Sequence, residues 1–341
     1  MIRPLAGLAL VLLCLAIPAM AFQKAPELTL LQASPVVGMA QGNLSGLARC
    51  AGELQAVSDR QDGHLYLLRA AEGGWQASVE PFVLPETRPT HLPLQLLAGA
   101  WLRGLRGQAL DFEGISCDDE GNRYLVSESL LAILKVPAVN EGTPVAEWLE
   151  MDEGVYAEGA ERGLWQRINA LAEGIAVSPD GNTLWLAAER QARGLVKVER
   201  QRTGWRCPVV GCVLLAERRY LPAEPFGPGI MTGGMLPLDF SALSYWKGRL
   251  WTLERNEHQV CRRHPESGQR ERCWSFAGTL LRAPYHYPEA PYGLAEALTV
   301  DEHGFMIGLD NNARRRPDGD DRPWVFHFAL PDDWQKGARR E

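Results

Sequence analysis

Short apolar runs separated by turn residues recur along the chain, and five segments align with one another. Each segment reads as an apolar strand, a turn with glycine, a second strand ending in an acidic residue, and then a third strand. The turns DDEGN, SPDGN, WKG and DEHG carry the Asp, Asn and Gly that tight hairpins require. The segments begin at Asn43, Asp111, Leu171, Asp239 and Leu294, so their starts lie 68, 60, 68 and 55 residues apart.

A fourth strand follows the aligned part of most repeats. The candidates are WQASVEPFVL, TPVAEWLEM, GCVLLAERRYL and RERCWSFAG. Four antiparallel strands per repeat, without a long helical period, predict an all-β fold, a β-propeller of five blades by repeat count. A sixth blade could lie in residues 70–108 or 200–237, and a β-sandwich is the alternative architecture, which five matching modules disfavour.

The two ends of the chain complement each other in this scheme. The last repeat runs out after WVFHFAL (Trp324 to Leu330), whereas ELTLLQA (Glu27 to Ala33) near the N-terminus belongs to no repeat. Pairing of these two strands would complete the last blade, close the ring and cover two sheet edges. We therefore expect closure through the N-terminal strand.

The first 21 residues have the pattern of a secretory signal peptide. Arg3 precedes the apolar run LAGLALVLLCLAI, which is short for a membrane span, and AMA fits a cleavage site after Ala21. A retained N-terminal anchor is the alternative. We expect residues 22–341 to form one propeller domain that is periplasmic or secreted, with no stable membrane insertion after cleavage.

The charge balance restricts the partners. The chain is 46% hydrophobic and 23% charged, and without Arg3 it has 34 basic and 42 acidic residues, a net charge of −8. An acidic protein of this kind disfavours nucleic acid and anionic membranes as partners. A small anionic or ester substrate is the expected ligand, and no feature of the sequence identifies a protein partner.

Six cysteines remain after signal cleavage, and an even number in an exported chain predicts disulfides. Cys261 and Cys273 flank RRHPESGQRER as a cross-strand pair in a hairpin would, and Cys207 and Cys212 could close a short loop. The remaining pair, Cys50 and Cys117, lies in the first strands of neighbouring repeats. A bond between them would close a loop of about 67 residues, worth on the order of 4 kcal/mol in the chain-entropy model.

The first strands of the blades should line the central channel, which places one position of each repeat at the channel mouth. That position is occupied by Ser45, Glu113, Glu173, Ser241 and Glu296, and two residues earlier stand Asn43, Asp111 and Asp239 in three repeats. Glutamates that face one axis repel each other unless a cation lies between them, and oxygen ligands select calcium or magnesium over zinc. We expect calcium, with Asp111, Glu113, Glu173 and Glu296 as its ligands. A purely structural hydrogen-bonding role for these glutamates is the alternative.

A second set of acids ends the second strands. It comprises Asp59, Glu128, Glu189, Glu254 and Asp310, and Arg60, Arg190 and Arg255 directly follow three of them. Such acids either face the same mouth or hold an arginine or the backbone of the neighbouring blade. The loop APYHYPEAPYG leads into Glu296, so Arg282 and His286 could overhang the mouth and meet a substrate.

The motifs LSGLARC, DFEGIS, AEGIAV, LAAER and LSYWKGRLWTLERN together resemble the phytase-like family, also described as the esterase-like activity of phytase. The resemblance spans about Asn43 to Asn312. It implies a propeller with a calcium-dependent acidic mouth that hydrolyses phosphate or other esters. It also implies site roles for the acids whose sequence contexts match, namely Asp59, Glu113, Glu128, Glu173 and Glu189.

Three functions are compatible with these residues. The first is a calcium-dependent ester hydrolase, most readily for a phosphoester, in which Glu113 or Glu173 accepts a proton from water. The second is a non-catalytic binding or scaffolding propeller with a structural ion. The third is a lactonase-like propeller enzyme, for which Asn169, Asn311 and Asn312 are the candidate asparagines. The sequence has no clear cluster of Lys and Arg for a multiply phosphorylated substrate.

Overall fold

The computed structural model describes residues 25–336, apart from 40–42, 88, 90, 93–95, 97–109, 169, 223–234, 289 and 291–292. The predicted signal peptide lies outside the described residues. Strands dominate, and the helical elements in the described part are α1 (Glu153–Glu161), α2 (Ala277–Leu280) and a 3₁₀ turn at Arg255–Glu257. None of these helices is long and apolar enough to cross a membrane.

The strands follow the predicted repeats. An N-terminal strand, β1 (Leu30–Val37), precedes the first repeat. The first repeat forms β2 (Gly46–Cys50), β3 (Glu53–Val57), β4 (His64–Ala71) and β5 (Gly74–Pro81). The second forms β6 (Phe112–Cys117), β7 (Arg123–Ser127), β8 (Ala132–Val136) and β9 (Glu147–Trp148). The third forms β10 (Ala172–Val177), β11 (Thr183–Ala188), β12 (Arg193–Gln201), β13 (Gly204–Arg206) and β14 (Val213–Glu217), where β13 and β14 both pair with β12.

The rest of the chain continues this order. A two-stranded sheet of β15 (Tyr220–Pro222) and β16 (Met235–Pro237) separates the third and fourth repeats. The fourth repeat forms β17 (Ala242–Trp246), β18 (Arg249–Glu254), β19 (Gln259–Arg263) and β20 (Arg270–Ser275). The fifth forms β21 (Ala295–Asp301), β22 (Gly304–Leu309) and β23 (Trp324–Phe328). Apart from β13 and β14, consecutive strands of a repeat pair antiparallel, as the hairpin turns predicted.

The first strands of the repeats lie side by side. Strand β2 lies against β6, β6 against β10, β10 against β17, β17 against β21, and β21 against β2. Small residues allow this approach, because a Cβ added to Gly174 would lie 2.7 Å from the backbone nitrogen of Leu243, and one on Gly114 would lie 3.0 Å from the carbonyl oxygen of Glu173. The all-β, propeller-like arrangement predicted from the repeats is confirmed.

The N-terminal strand joins the last sheet to the first. Strand β1 pairs antiparallel with β23, from Leu30 opposite Phe328 to Pro35 opposite Trp324. Its end pairs parallel with β5, where Val36 lies opposite Trp75. The first and fifth sheets are therefore continuous through β1.

All three predicted disulfides are present. Cys50–Cys117 joins β2 to β6 across a Cα–Cα distance of 5.7 Å, and Cys207–Cys212 closes a short loop. Cys261–Cys273 joins β19 to β20, whose register places the two residues directly opposite each other. Because the first of these bonds links neighbouring first strands, it also confirms the predicted alignment of the first and second repeats.

The core lies between the faces of adjacent sheets. Several strands, such as β10 and β22, are buried at every position, and the largest fully buried side chains include Trp165, Trp251 and Trp274. The sequence did not predict α1, which begins after Asp152, whose side chain caps the helix by accepting a hydrogen bond from Gly154 N at 2.9 Å. The helix lies between the second and third sheets in sequence and buries Val155 and Tyr156.

Candidate functional site

Three glutamates occupy β-bulges at the start of their first strands. In β6 the register passes from Phe112 opposite Ser127 to Gly114 opposite Val126, so Glu113 is an extra residue. The same irregularity places Glu173 in β10 and Glu296 in β21. A bulge rotates its residue relative to the regular alternation of a strand and often re-aims a side chain at a site.

The other two repeats have serine at this position and a regular ladder. Strands β2 and β17 pair without a bulge from Gly46 and Ala242 onwards. The Ser45 hydroxyl accepts a hydrogen bond from Asp59 N at 3.1 Å, and the Ser241 hydroxyl donates to the Ala295 carbonyl oxygen at 2.8 Å. The serines are thus fully buried and satisfied by backbone, and three repeats rather than five supply glutamates.

The bulged glutamates converge. One carboxylate oxygen from each of Glu113, Glu173 and Glu296 lies within 4.8 Å of the other two. Two further triads with the same spacing share members with this one: Asp59, Asp111 and Glu113, and Glu128, Glu173 and Glu189. We call the seven residues of these three triads the acidic cluster.

The electrostatics of the cluster are those of acids packed together away from water. Burial, followed by the charges of Glu173 and Asp111, raises the pKa of Glu113 well above its usual value. Burial and the charges of Glu128 and Glu296 raise the pKa of Glu173 well above its usual value, against the opposing charge of Arg255. Within the described residues neither of these two carboxylates accepts a hydrogen bond. Burial and mutual repulsion therefore favour a proton or a cation beside these two carboxylates.

On the side of the first and fifth repeats, Asp310 adjoins the cluster member Asp59. Burial raises the pKa of Asp310 well above its usual value, with the charges of Glu296 and Asp59 adding to the effect. Burial also raises the pKa of Asp59, although Arg60 opposes this. Asn43 donates to Asp310 at 3.3 Å and so links the N-terminal end of the first repeat to this edge.

Arg255 is the main positive charge among these acids. Its guanidinium donates to Asp239 Oδ2 at 2.7 Å, to Glu189 Oε1 at 2.5 Å and to Glu296 Oε1. Burial opposes ionisation, but the charges of Glu296 and Asp239 outweigh it and raise the pKa of Arg255. The fourth repeat, which has Ser241 where others have glutamate, thus contributes a cation to the site.

The predicted second set of acids divides into different environments. Glu128 accepts a hydrogen bond from Leu171 N at 2.9 Å, so it holds the backbone of the next repeat while also lying in the cluster. Glu189 pairs with both Arg190 and Arg255. Glu254 lies outside the three triads of the cluster and is held by Arg263 at 2.7 Å and Arg193 at 2.9 Å.

The environment of Glu254 is that of a structural ion pair. Burial favours its neutral form, yet the charges of Arg263 and Arg193 lower its pKa far below the usual value. A carboxylate that two buried arginines already neutralise has no need of an added cation. Asp239, held by Arg255 and by Asn256 N at 3.0 Å, is likewise committed within the fourth repeat.

The end of the predicted substrate loop lies beside Arg255. The loop ends at Gly293, where an added Cβ would lie 2.6 Å from Cγ of Arg255. Arg282 is exposed and His286 is half-buried, and within the described residues no ion pair or hydrogen bond joins either side chain to the cluster. Of the asparagines considered for a lactonase, Asn312 receives a hydrogen bond from Asn43, Asn311 donates to backbone carbonyls, and Asn169 lies outside the described residues.

The residues of the cluster fit a calcium ion. Every donor is a carboxylate oxygen, as this hard cation prefers. Asp59 Oδ1 and Glu189 Oε2 are buried without a hydrogen-bond partner, which is costly unless another ligand satisfies them. The cysteine-containing acid groups at Glu158 and Glu254 do not compete, since their cysteines form disulfides.

The fold and the site define a propeller-like protein with converging carboxylates on its first strands. The model of the phytase-like family, described as esterase-like activity of phytase, matches residues 40–272. The chain belongs to that family, as the repeat motifs predicted. No curated protein matches the sequence.

Several solved structures resemble the chain at low sequence identity. Glutaminyl cyclase of Myxococcus xanthus has 12% identity and a TM-score of 0.49, with 91% of this chain and 100% of that chain covered. Aldose sugar dehydrogenase of Streptomyces coelicolor has 12% identity and a TM-score of 0.45, covering 90% and 99%. A gluconolactonase of Xanthomonas campestris has 12% identity and a TM-score of 0.40, covering 89% and 88%.

Proposed function

We propose that this protein is a calcium-dependent ester hydrolase, with phosphoesters as the first substrate class to test. The observation that carries the proposal is the convergence of Glu113, Glu173 and Glu296 within 4.8 Å in a family described as esterase-like. Three carboxylates at this spacing and burial form a cation site that can also exchange a proton. Those are the two requirements of metal-assisted hydrolysis.

The cation would be held by Glu113, Glu173 and Glu296, with Asp59 and Asp111 on one side. Bound there, calcium would supply a Lewis acid that polarises an ester oxygen and a water molecule. Arg255 holds the Glu296 carboxylate in place through a charge-assisted hydrogen bond. This hydrogen bond limits the rotation of the Glu296 side chain, and the positive charge of Arg255 adds nothing to the repulsion among the acids.

Glu113 and Glu173 are the candidate catalytic residues. A carboxyl whose pKa is raised by burial and by a neighbouring acid accepts and releases its proton at a higher pH than an ordinary glutamate does. We assign the general base to one carboxylate of this pair, which takes a proton from water on an Oε atom. The second oxygen of that carboxylate and the other glutamate would remain ligands of the cation.

The proposal also covers the number of blades and the location of the protein. The five side-by-side first strands, with β1 completing the last sheet, support a propeller of five blades closed by the N-terminal strand. The three disulfides support an oxidising location, either periplasmic or secreted, reached through cleavage of residues 1–21.

The test is turnover by the mature chain from residue 22. Metal-free protein would be supplied with calcium, magnesium or EGTA and assayed with p-nitrophenyl phosphate, bis-p-nitrophenyl phosphate, p-nitrophenyl acetate and a δ-lactone. We expect calcium-dependent hydrolysis of at least one phosphoester, lost in Glu113→Gln/Glu173→Gln. Absence of any turnover above that double variant contradicts the proposal, and hydrolysis of the lactone alone would indicate a lactonase.

A non-catalytic role for the same site has an observation in its favour. Arg255 bridges acids from three repeats, and Glu128 holds the backbone of the following repeat, so the cluster joins the blades to one another. In that case calcium raises the melting temperature of the protein while no substrate in the panel is hydrolysed.

A further inference from the structure

A second concave site lies at the opposite end of the first strands from the acidic cluster. It is a cavity of about 570 Å³, within the range of small-molecule sites. Its walls come from the later residues of the first strands, such as Leu47 to Arg49, Ile115 to Cys117 and Leu243 to Trp246. The glutamates lie at the beginning of those strands. The four residue steps from Glu113 to Cys117 span about 13 Å of extended chain.

Small residues separate the two sites. In every repeat, a small residue directly follows the aligned glutamate or serine at the start of the first strand. These small residues are Gly46, Gly114, Gly174, Ala242 and Ala297. At Gly46 an added Cβ would lie 3.0 Å from the Cα of Gly114, so the strands are in backbone contact there. A ligand in the cavity therefore lies on the far side of this contact from the acidic cluster, and it is a separate ligand.

The cavity offers hydroxyl donors that the fold leaves available. Ser116 Oγ accepts a hydrogen bond from Val177 N at 3.0 Å, and Ser244 Oγ accepts one from Val300 N at 3.3 Å. Since each oxygen already accepts, each hydroxyl hydrogen is available to donate elsewhere. The Thr299 hydroxyl has no hydrogen bond within the described residues.

Aromatic rings form another part of the wall. Tyr245 stacks on Trp185 with ring centroids 4.9 Å apart, and Trp246 packs on Trp334 at 4.7 Å. Tyr245 and Trp246 are themselves half-buried and line the cavity. Rings held from one side by other aromatics are rigid platforms, which lowers the entropic cost of binding.

The charges of the wall disfavour an anionic ligand. Two cations, Arg49 and Lys247, face three carboxylates, and Arg49 is already paired with Asp301 at 2.6 Å. A hydrocarbon ligand is disfavoured too, because it would leave the serine and threonine hydroxyls without partners. A ligand with both an apolar face and many hydroxyls satisfies the rings, the hydroxyls and the carboxylates together.

We propose that this cavity binds a neutral saccharide, with one sugar ring against Trp246 and its hydroxyls bonded to Ser116, Ser244 and Thr299. Cys117 lines the cavity, and its disulfide with Cys50 joins two of the contributing strands. The site is therefore organised before the ligand binds. It requires neither calcium nor catalysis at the acidic cluster.

The experiment is a titration of the disulfide-intact, metal-free protein, followed by tryptophan fluorescence and calorimetry. The probes are glucose and cellobiose as saccharides, sodium sulfate as an anion and spermidine as a cation. Thr299→Val removes the hydroxyl with its shape retained, and we expect it to weaken saccharide binding by about fivefold, the equivalent of one hydrogen bond. Trp246→Ala should abolish detectable binding.

Control variants outside the cavity distinguish a loss of saccharide binding from a general loss of stability. Thr183→Val and Trp75→Ala alter the same residue types away from the cavity and should bind as the parent does. Glu113→Gln/Glu173→Gln should also bind saccharide normally. The proposal is overturned if neither sugar binds, if sulfate or spermidine binds in their place, or if binding survives in Trp246→Ala but is lost in the acidic double variant.

Discussion

Glu113 and Glu173 occupy the same place on neighbouring strands, each as the extra residue of a β-bulge, with carboxylate oxygens within 4.8 Å of each other. Two acids so placed cannot both ionise cheaply without a cation. In the proposed site this relationship would couple calcium binding, proton exchange and the stability of the protein.

The first prediction concerns this pair. Glu113→Gln/Glu173→Gln removes the repulsion, so the metal-free protein should melt at a higher temperature than the parent, while the stabilisation by calcium should largely vanish. Hydrolysis should fall by about 10²- to 10⁴-fold, the usual contribution of a general base. Differential scanning calorimetry with and without calcium, alongside the ester assay, measures both effects.

Glu72→Gln is the control for that prediction, because Glu72 is an exposed acid in the turn between β4 and β5. It should change neither the melting temperature nor the response to calcium. Equal calcium stabilisation in the double glutamine variant and the parent would place the ion elsewhere.

The second prediction is a pH dependence with a definite sign. The pKa values of Glu113, Glu173 and Asp310 are raised in the folded protein, so the folded state binds more protons than the unfolded state above about pH 4. The free energy of unfolding of the metal-free protein should therefore fall as pH rises above about 4.5, until the pH passes the raised pKa values of the folded state. Calcium competes with these protons, so its stabilising effect should increase over the same range.

The titration of His258 makes the free energy of unfolding rise with pH, which opposes the contribution of the carboxylates. The two contributions have to be measured separately. Burial lowers the pKa of His258 to about 4, so its contribution to stability is present above about pH 6.5 and is lost as pH falls from there towards 4. Urea titrations of the parent and of Glu113→Gln/Glu173→Gln at each pH isolate the carboxylates. A parallel pH dependence in the two proteins would contradict the prediction.

The third prediction concerns Arg255, whose three ion pairs join the third, fourth and fifth repeats. Arg255→Met leaves buried carboxylates without their partner and should cost about 3–5 kcal/mol of unfolding free energy. Calcium at saturating concentration should recover part of that loss by supplying positive charge. Arg255→Lys should lose nearly as much unfolding free energy as Arg255→Met, because one ammonium group does not reproduce the geometry of the guanidinium.

Chemical denaturation of both Arg255 variants, with calcium or EGTA, measures these costs. Arg69→Met is the control, because Arg69 forms an exposed ion pair with Glu53 at 3.7 Å, and such pairs are worth less than about 1 kcal/mol. An Arg255→Met protein as stable as the Arg69→Met protein would show that the acids do not depend on the guanidinium.

The fourth prediction concerns the contact between first strands. Gly174→Ala brings a Cβ to 2.7 Å from Leu243 N, which is backbone and cannot move aside without shifting β17. We expect a loss of about 1–3 kcal/mol, the usual cost of overpacking. Gly278→Ala is the control, since its nearest atom belongs to the flexible Glu27 side chain, and it should be close to neutral.

The fifth prediction ranks the disulfides by the chain they enclose. Replacing Cys50–Cys117 by serines should cost about 4 kcal/mol, Cys261–Cys273 about 3 and Cys207–Cys212 about 2, because the sequence separations are 67, 12 and 5 residues. Equilibrium unfolding of the three double variants gives the order directly. A greater loss for the short loop than for the longest one would reject the entropic explanation.

The repeats were sufficient to predict the fold because hairpin turns and apolar alternation are local properties of the chain. The same repeats located Glu113, Glu173 and Glu296 and predicted the Cys50–Cys117 pair through alignment of β2 with β6. The bulges were not predictable, since DFEG and DFSA have equal spacing although only the first contains a bulge. An extra residue in a ladder depends on how neighbouring strands pack.

The sequence placed Arg255 after an acid of the second set, but it did not predict the three carboxylates that Arg255 contacts. The pattern of an acid followed by Arg occurs at Arg60, Arg190 and Arg255, and nothing local distinguishes them. Only the tertiary structure shows that Arg255 turns towards three carboxylates, whereas Arg60 pairs with its neighbour Asp59 at 3.2 Å. Likewise, Glu254 aligns with the other acids in sequence, and the arginines that neutralise it come from other strands.

The pairing of β1 with β23 has a consequence for folding, because the last sheet cannot be completed until β23 is available. Leu30 and Phe328, which face each other in this sheet, are 298 residues apart in the chain. Strand β1 is made first and cannot find its partner until nearly the whole polypeptide has been synthesised. Contacts of such long range form slowly. A chain truncated before β23 would expose the unpaired edges of β1 and β22, so incomplete molecules should be recognisable to proteases and chaperones by those edges.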